Sequence, residues 1–205
     1  MTQGPAYRDR ASLRDQRDRV FLLIGYSGGP RRSEIVSLDL GRDDTEDGEG
    51  WITTEEQGLI LTFRGKTGWR EAEIGRGCSD ATCPVHALEQ YLHYAKIDTK
   101  TGGSPLFQRV SRDDRKAIGD RLSDKHVARL IKKAVRDAGI RSDLPEKERF
   151  ALYSGHSLRA GLATSANVEE RYIQKQLGHA SPEMTRRYQR NRDRFRVNLT
   201  KAAGL

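Results

Sequence analysis

Between residues 51 and 74 the chain leaves helical periodicity for three short β-like runs, while on both sides of them apolar residues recur at helical spacing. The runs cover 51–54, 58–63 and 70–74, and the last two are joined around Gly65-Lys66-Thr67-Gly68, a turn signal. Upstream, Leu13, Val20, Phe21 and Ile24 predict a helix that Gly28-Gly29 stops, and Pro30 suits the first turn of a second helix carrying residues 31–38. Downstream the pattern predicts helices over 84–95, 123–138, 157–166, 169–177 and 181–191. Two charge-rich stretches, 98–120 and 140–149, read as long loops. The sum is an α+β fold, mainly α, with one small antiparallel sheet. At 205 residues, 35% of them hydrophobic, the chain suits one domain with a true core.

Charge narrows the partner. The formal net charge is +8 and the pI about 9.7, which favours a polyanion. The excess is uneven: residues 43–49 are acidic, whereas 186–196 carry six arginines. A clustered basic face recruits phosphates through counterion release; a solvated face is the bland alternative. Two cysteines give no disulfide framework, and no signal peptide or membrane-spanning run is readable, so a reducing cytoplasm is the expected setting. Cys78, Cys83 and His86 have a zinc-like spacing but lack a fourth ligand; the plainer reading is a polar loop ahead of the helix that begins near Pro84. No metal or cofactor is expected.

Three blocks carry chemistry. Gly28-Gly29-Pro30-Arg31-Arg32-Ser33-Glu34-Ile35 comes first, Ser154-Gly155-His156-Ser157-Leu158-Arg159 follows, and Leu177-Gly178-His179 precedes Tyr188 by nine positions from the histidine. Together they resemble the signature of the tyrosine recombinases, the phage integrase family, over residues 17–188. The resemblance implies that family's catalytic-domain fold and DNA strand cleavage and rejoining through a 3′-phosphotyrosine. It also implies roles. Arg31 and Arg159 match the two catalytic arginines, whose guanidinium groups suit the charge that grows on non-bridging phosphate oxygens. Tyr188 matches the nucleophile. Free tyrosine is ionised to only about one part in a thousand at pH 7, so it needs help: His156 matches the base and His179 a donor to a non-bridging oxygen. Lys66 matches the mobile lysine that protonates the leaving 5′ oxygen, although a solvated turn lysine is an equal reading. Glu34 matches a supporting acidic position. Because the tyrosyl linkage stores the bond energy, rejoining needs no ATP.

Local readings sharpen this. Ser181 is a good N-cap, Pro182 suits the first helical position, and Met184 and Tyr188 share a face; taken alone, that pair also fits a core stripe. Arg32, Arg64, Arg70, Arg186, Arg187 and Arg190 are candidate contacts to double-stranded DNA. The interval from Arg159 to Leu177 is shorter than the family pattern, so Ala166-Asn167-Val168 must turn tightly. The whole of 1–205 reads as the catalytic domain, with almost nothing before it to serve as the family's N-terminal DNA-clamping domain. Residues 192–205 form a possible amphipathic tail for a neighbouring subunit or for its own domain. The expected assembly is a tetramer on DNA, with the free chain a monomer, nucleoid-associated and with no membrane partner. A poorly active DNA-binding remnant of the same family is the alternative.

Overall fold

Helix α1 (Leu13–Ser27) is set by its two ends. Ser12 Oγ accepts the Asp15 N–H at 3.1 Å, filling an otherwise orphaned donor. At the other end Gly29 has φ +56, and a Cβ there would lie 2.3 Å from Leu177 Cδ2; only glycine permits both that backbone and that approach. The structure, a computed structural model, describes residues 12–42, 49–65, 68–99, 103–189 and 200.

Leu13, Val20, Phe21 and Ile24 of α1 are buried, facing α3 (Pro84–Ala95), and Phe21 meets Phe107 edge-on at 4.9 Å. Helix α2 (Arg32–Ser37) starts later than expected. Arg31 is extended and acts as the N-cap, so Pro30 lies before the helix; the cause is Glu34, whose carboxylate accepts the Arg31 N–H at 2.6 Å.

The three expected strands are present as β2 (Gly50–Glu55), β3 (Gly58–Gly65) and β4 (Gly68–Gly75), an antiparallel meander. The sheet is nevertheless mixed and has five strands, ordered β4-β3-β2-β1-β5. Strand β1 (Asp39–Leu40) pairs parallel to β2, and β5 (Ser104–Pro105) pairs antiparallel to β1. Strands β6 (Gln108–Val110) and β7 (Ala117–Arg121) form a separate bulged pair. The stretch 98–120 is therefore not simply a loop. Leu106 and Phe107 are fully buried and draw it into the core, but β5 and β6 are too short to show alternation and β7 is exposed over most of its length. Helix α4 (Asp124–Asp137) buries Val127, Leu130, Ile131 and Val135. The second expected loop, 140–149, runs into α5 (Glu146–Ala151), which buries no residue and so had no apolar stripe to announce it.

Helices α6 (Ser157–Ser165), α7 (Glu170–Leu177) and α8 (Pro182–Gln189) close the described chain around a second, smaller apolar cluster. Ala163, Ile173 and Leu177 form it, with Leu162, Ala166 and Tyr188 packed on its edge. The tight connection between α6 and α7 is accommodated: Ala166 is extended, and Leu177 returns to within hydrogen-bond reach of Arg159. Among the described residues no helix is long and apolar enough to cross a membrane.

Candidate active site

The site begins with a buried cation. Arg159, in the first turn of α6, is 2% exposed. Its Nη1 donates to the Gly29 carbonyl and its Nη2 to the Leu177 carbonyl, each at 2.5 Å. One guanidinium thus joins the α1–α2 turn, α6 and the end of α7. Burial, with the nearby charges of Arg31 and Arg70, lowers its pKa to about 10, so it stays protonated at neutral pH.

Arg31 shares the position with a carboxylate beneath it. Glu34, largely buried, takes Arg31 Nη1 at 2.6 Å and Arg70 Nη2 at 2.7 Å. Burial pushes the Glu34 carboxyl up, but the Arg31 N–H and the Arg70 guanidinium outweigh it and hold the group below its ordinary value. Arg70, expected to face DNA, is placed inside this bracket. Its side chain is 16% exposed, its guanidinium lies 4.5 Å from the Phe63 ring, and Nη1 donates to Gln176 O. Gly178 makes room for it. With φ +59 that residue ends α7, and a Cβ would come 2.8 Å from Arg70 Cδ.

Tyr188 is flanked by two imidazoles. Its hydroxyl is hydrogen-bonded to His156 Nε2, and its ring stacks on that of His179, with centroids 5.8 Å apart and planes 16° from parallel. His179 Nδ1 is 2.9 Å from Thr185 Oγ1. Burial first, then the charges of Arg159 and Arg31, push the pKa of His156 down and that of His179 to about 4. Both rings are neutral at pH 7, and the same two arginines bear on both, which puts the four groups in one neighbourhood. Helix α8 starts at Pro182, directly after Ser181, and the Met184 N–H donates to Ser181 O at 3.2 Å. Met184 is exposed while Thr185 is fully buried, so the buried stripe runs through Thr185 rather than Met184.

Arg31, Glu34, Arg70, His156, Arg159, His179 and Tyr188 are therefore brought together. Such a constellation supplies fixed cations, a phenol with a proton acceptor and a second imidazole, the components an anionic transition state at phosphorus requires. Outside it, Arg32 pairs with Asp124 at 2.9 Å, Arg186 pairs with Glu170 at 3.1 Å, and Arg64 and Arg187 are exposed. Lys66, Arg190 and the 192–199 and 201–205 parts of the tail lie outside the described residues. Cys83 Sγ caps α3, accepting N–H groups from Gly77 and His86, while Cys78 is exposed. Thr185 and the bracketing role of Arg70 escaped the sequence reading. The signal for Arg70 was there: it shares strand parity with Ala72 and Ile74, both buried.

The fold and this constellation define a class, and the chain belongs to the phage integrase family, whose model matches residues 7–194. It is 31% identical over 201 residues to an integrase/recombinase xerD homolog of Selenomonas ruminantium, covering 93% of this chain and 52% of that protein. It is 32% identical over 179 residues to tyrosine recombinase XerD of Mycobacterium tuberculosis, covering 84% of this chain and 47% of that one. The chain spans about half the length of the curated relatives it matches. In fold it is similar to XerH site-specific recombinase, solved bound to its palindromic difH substrate, with a TM-score of 0.60 at 19% identity over 95% of this chain and 47% of that one.

Proposed function

We propose that residues 1–205 are the catalytic domain of a tyrosine-type site-specific recombinase acting on double-stranded DNA. The observation that carries this reading is the Tyr188 hydroxyl on His156 Nε2, within the field of Arg31 and Arg159. The neutral imidazole accepts the phenolic proton as the tyrosyl oxygen attacks phosphorus. Arg31, Arg159 and the His179 ring stabilise the negative charge on the non-bridging oxygens. The bond to the 5′ oxygen breaks, leaving a 3′-phosphotyrosine, and Lys66 supplies the proton that makes the free 5′-hydroxyl. Attack by a second strand's 5′-hydroxyl reverses the steps and returns the proton to Tyr188. Glu34 holds Arg31 in place from below, with Arg70 as its second partner. Exposed Arg64 and Arg187, with Arg32, Arg186 and Arg190, contact the DNA backbone. The chain works as a tetramer on DNA, associated with the nucleoid, and its tail at 192–205 docks on a neighbouring subunit.

The test is covalent trapping on a pool of nicked duplexes that lose the cleaved 5′ fragment. The reading expects a denaturant-stable protein–DNA adduct that Tyr188→Phe abolishes. Salt-sensitive binding with no adduct would instead mark a DNA-binding module, and an adduct that survives Tyr188→Phe would overturn the choice of nucleophile.

A further inference from the structure

Thr185 sits on α8 three residues before Tyr188, with no exposed surface. Among the described residues its hydroxyl has one hydrogen-bond partner, Nδ1 of His179 at 2.9 Å. A threonine hydroxyl carries one proton, and a buried O–H that finds no acceptor is costly. If Nδ1 bore the imidazole proton, the threonine oxygen would accept it and its own proton would be stranded. If Nδ1 is bare, the threonine donates and both groups are satisfied. The ring cannot evade the choice by swinging away. Its backbone N–H donates to Gln174 O at 3.1 Å, its carbonyl accepts Gln174 Nε2 at 3.2 Å, and its face is stacked on Tyr188.

We infer that Thr185 is a positioning residue that fixes His179 as the Nε2–H tautomer, so that a neutral imidazole donates a hydrogen bond to a phosphate oxygen. The inference rests on the recombinase reading for its functional half. A histidine meant to donate to an anion ordinarily gains by being protonated. Here burial among arginines makes protonation unfavourable, with the pKa at about 4. A neutral ring has one N–H, and the hydrogen bond at its other nitrogen decides where that N–H points. Thr185 makes the decision, so His179 acts as a fixed donor with a constant charge, leaving proton transfer from Tyr188 to His156.

The experiment is 15N NMR of histidine-labelled protein at pH 7, with the His179 signals assigned by their loss in His179→Gln. The expected pattern is an Nε2–H tautomer. Thr185→Val, close in shape but without the hydroxyl, should move the ring toward Nδ1–H and slow adduct formation about 10- to 100-fold, less than deleting a transition-state donor outright; Thr185→Ser should keep the tautomer and recover the rate. An Nδ1–H tautomer in the unsubstituted protein overturns the inference, and so does a Thr185→Val protein with tautomer and rate unchanged. Should Thr185→Val fail to fold, the spectrum of the unsubstituted protein still decides. An Nε2–H tautomer in a protein that forms no Tyr188 adduct would sink the recombinase reading while leaving the Thr185 assignment in place.

Discussion

Nε2 of His156, the residue that opens α6, is hydrogen-bonded to the phenolic oxygen of Tyr188 on α8. In the neutral ring with its proton on Nδ1, the phenol donates and Nε2 accepts, which is the geometry of a proton about to move. Replacing His156 by Ala should lower the rate of adduct formation by about 10² to 10⁴ while DNA binding persists. Burial and the two arginines hold the His156 pKa below its ordinary 6.5, so the adduct rate should stay level as pH falls from 8 to 6.5 and drop only once the lowered pKa is passed. Single-turnover trapping across that range measures it; a drop centred above 6.5 would remove His156 as the base.

Arg159 and Arg31 should respond differently to the same substitution. Arg159→Lys gives up a planar fork that satisfies two backbone carbonyls 130 and 18 residues away in sequence, and charged hydrogen bonds of this kind contribute about 1.5–3 kcal/mol each. That variant should lose roughly 3 kcal/mol of stability as well as cleavage. Arg31 is half exposed and its backbone N–H cap survives the change, so Arg31→Lys should lose cleavage with stability changed by under about 1 kcal/mol. Urea midpoints beside adduct rates separate the two.

Glu34 lies between two guanidinium groups, and removing it takes away the carboxylate that each of them pairs with. Glu34→Ala should destabilise the fold by about 3 kcal/mol, within the range for breaking a buried ionic network. Glu34→Gln should cost less yet still slow cleavage, because Arg31 loses its charged partner. A Glu34→Ala protein with the parent's urea midpoint would contradict this account.

His179 also sets an acid limit on stability. Its folded pKa is about 4 against 6.5 for the free side chain. Between those values the unfolded chain binds the proton and the folded one does not, so stability falls as pH falls, by about 1.4 kcal/mol per unit below 6.5, and the loss is complete once pH passes the folded value. Denaturant curves at pH 7, 6 and 5 should show a slope at least that steep, and His179→Gln should remove its share, leaving the same-sign contributions of His156 and His126, which burial also holds below 6.5.

Much of this was legible because it rests on local rules. The Gly28-Gly29 stop, the 51–74 meander and the Ser181-Pro182 cap each follow from a few neighbouring residues. What was illegible depends on distant partners. Strand β1 is two residues long and is defined by Trp51 and Ile52 on one side and Ser104 and Pro105 on the other. Pro30 looked helical until the Glu34 carboxylate claimed the Arg31 N–H. Arg70 looked like one more basic residue on a basic hairpin, because nothing nearby in sequence reveals that Glu34 waits on the other side of the sheet edge. For Thr185 the sequence showed position but not burial.

The reach of Arg159 has a consequence in time. One of its two carbonyl partners, Gly29, lies 130 residues away in sequence, and a contact that spans so much chain closes late because its loop entropy must be met first. Until α7 has been made and has docked, Arg159 lacks the Leu177 carbonyl that ties α6 to the end of that helix. A half-made or locally opened chain thus lacks the arginine clamp, and the site proposed to cut DNA is assembled only when the domain is whole.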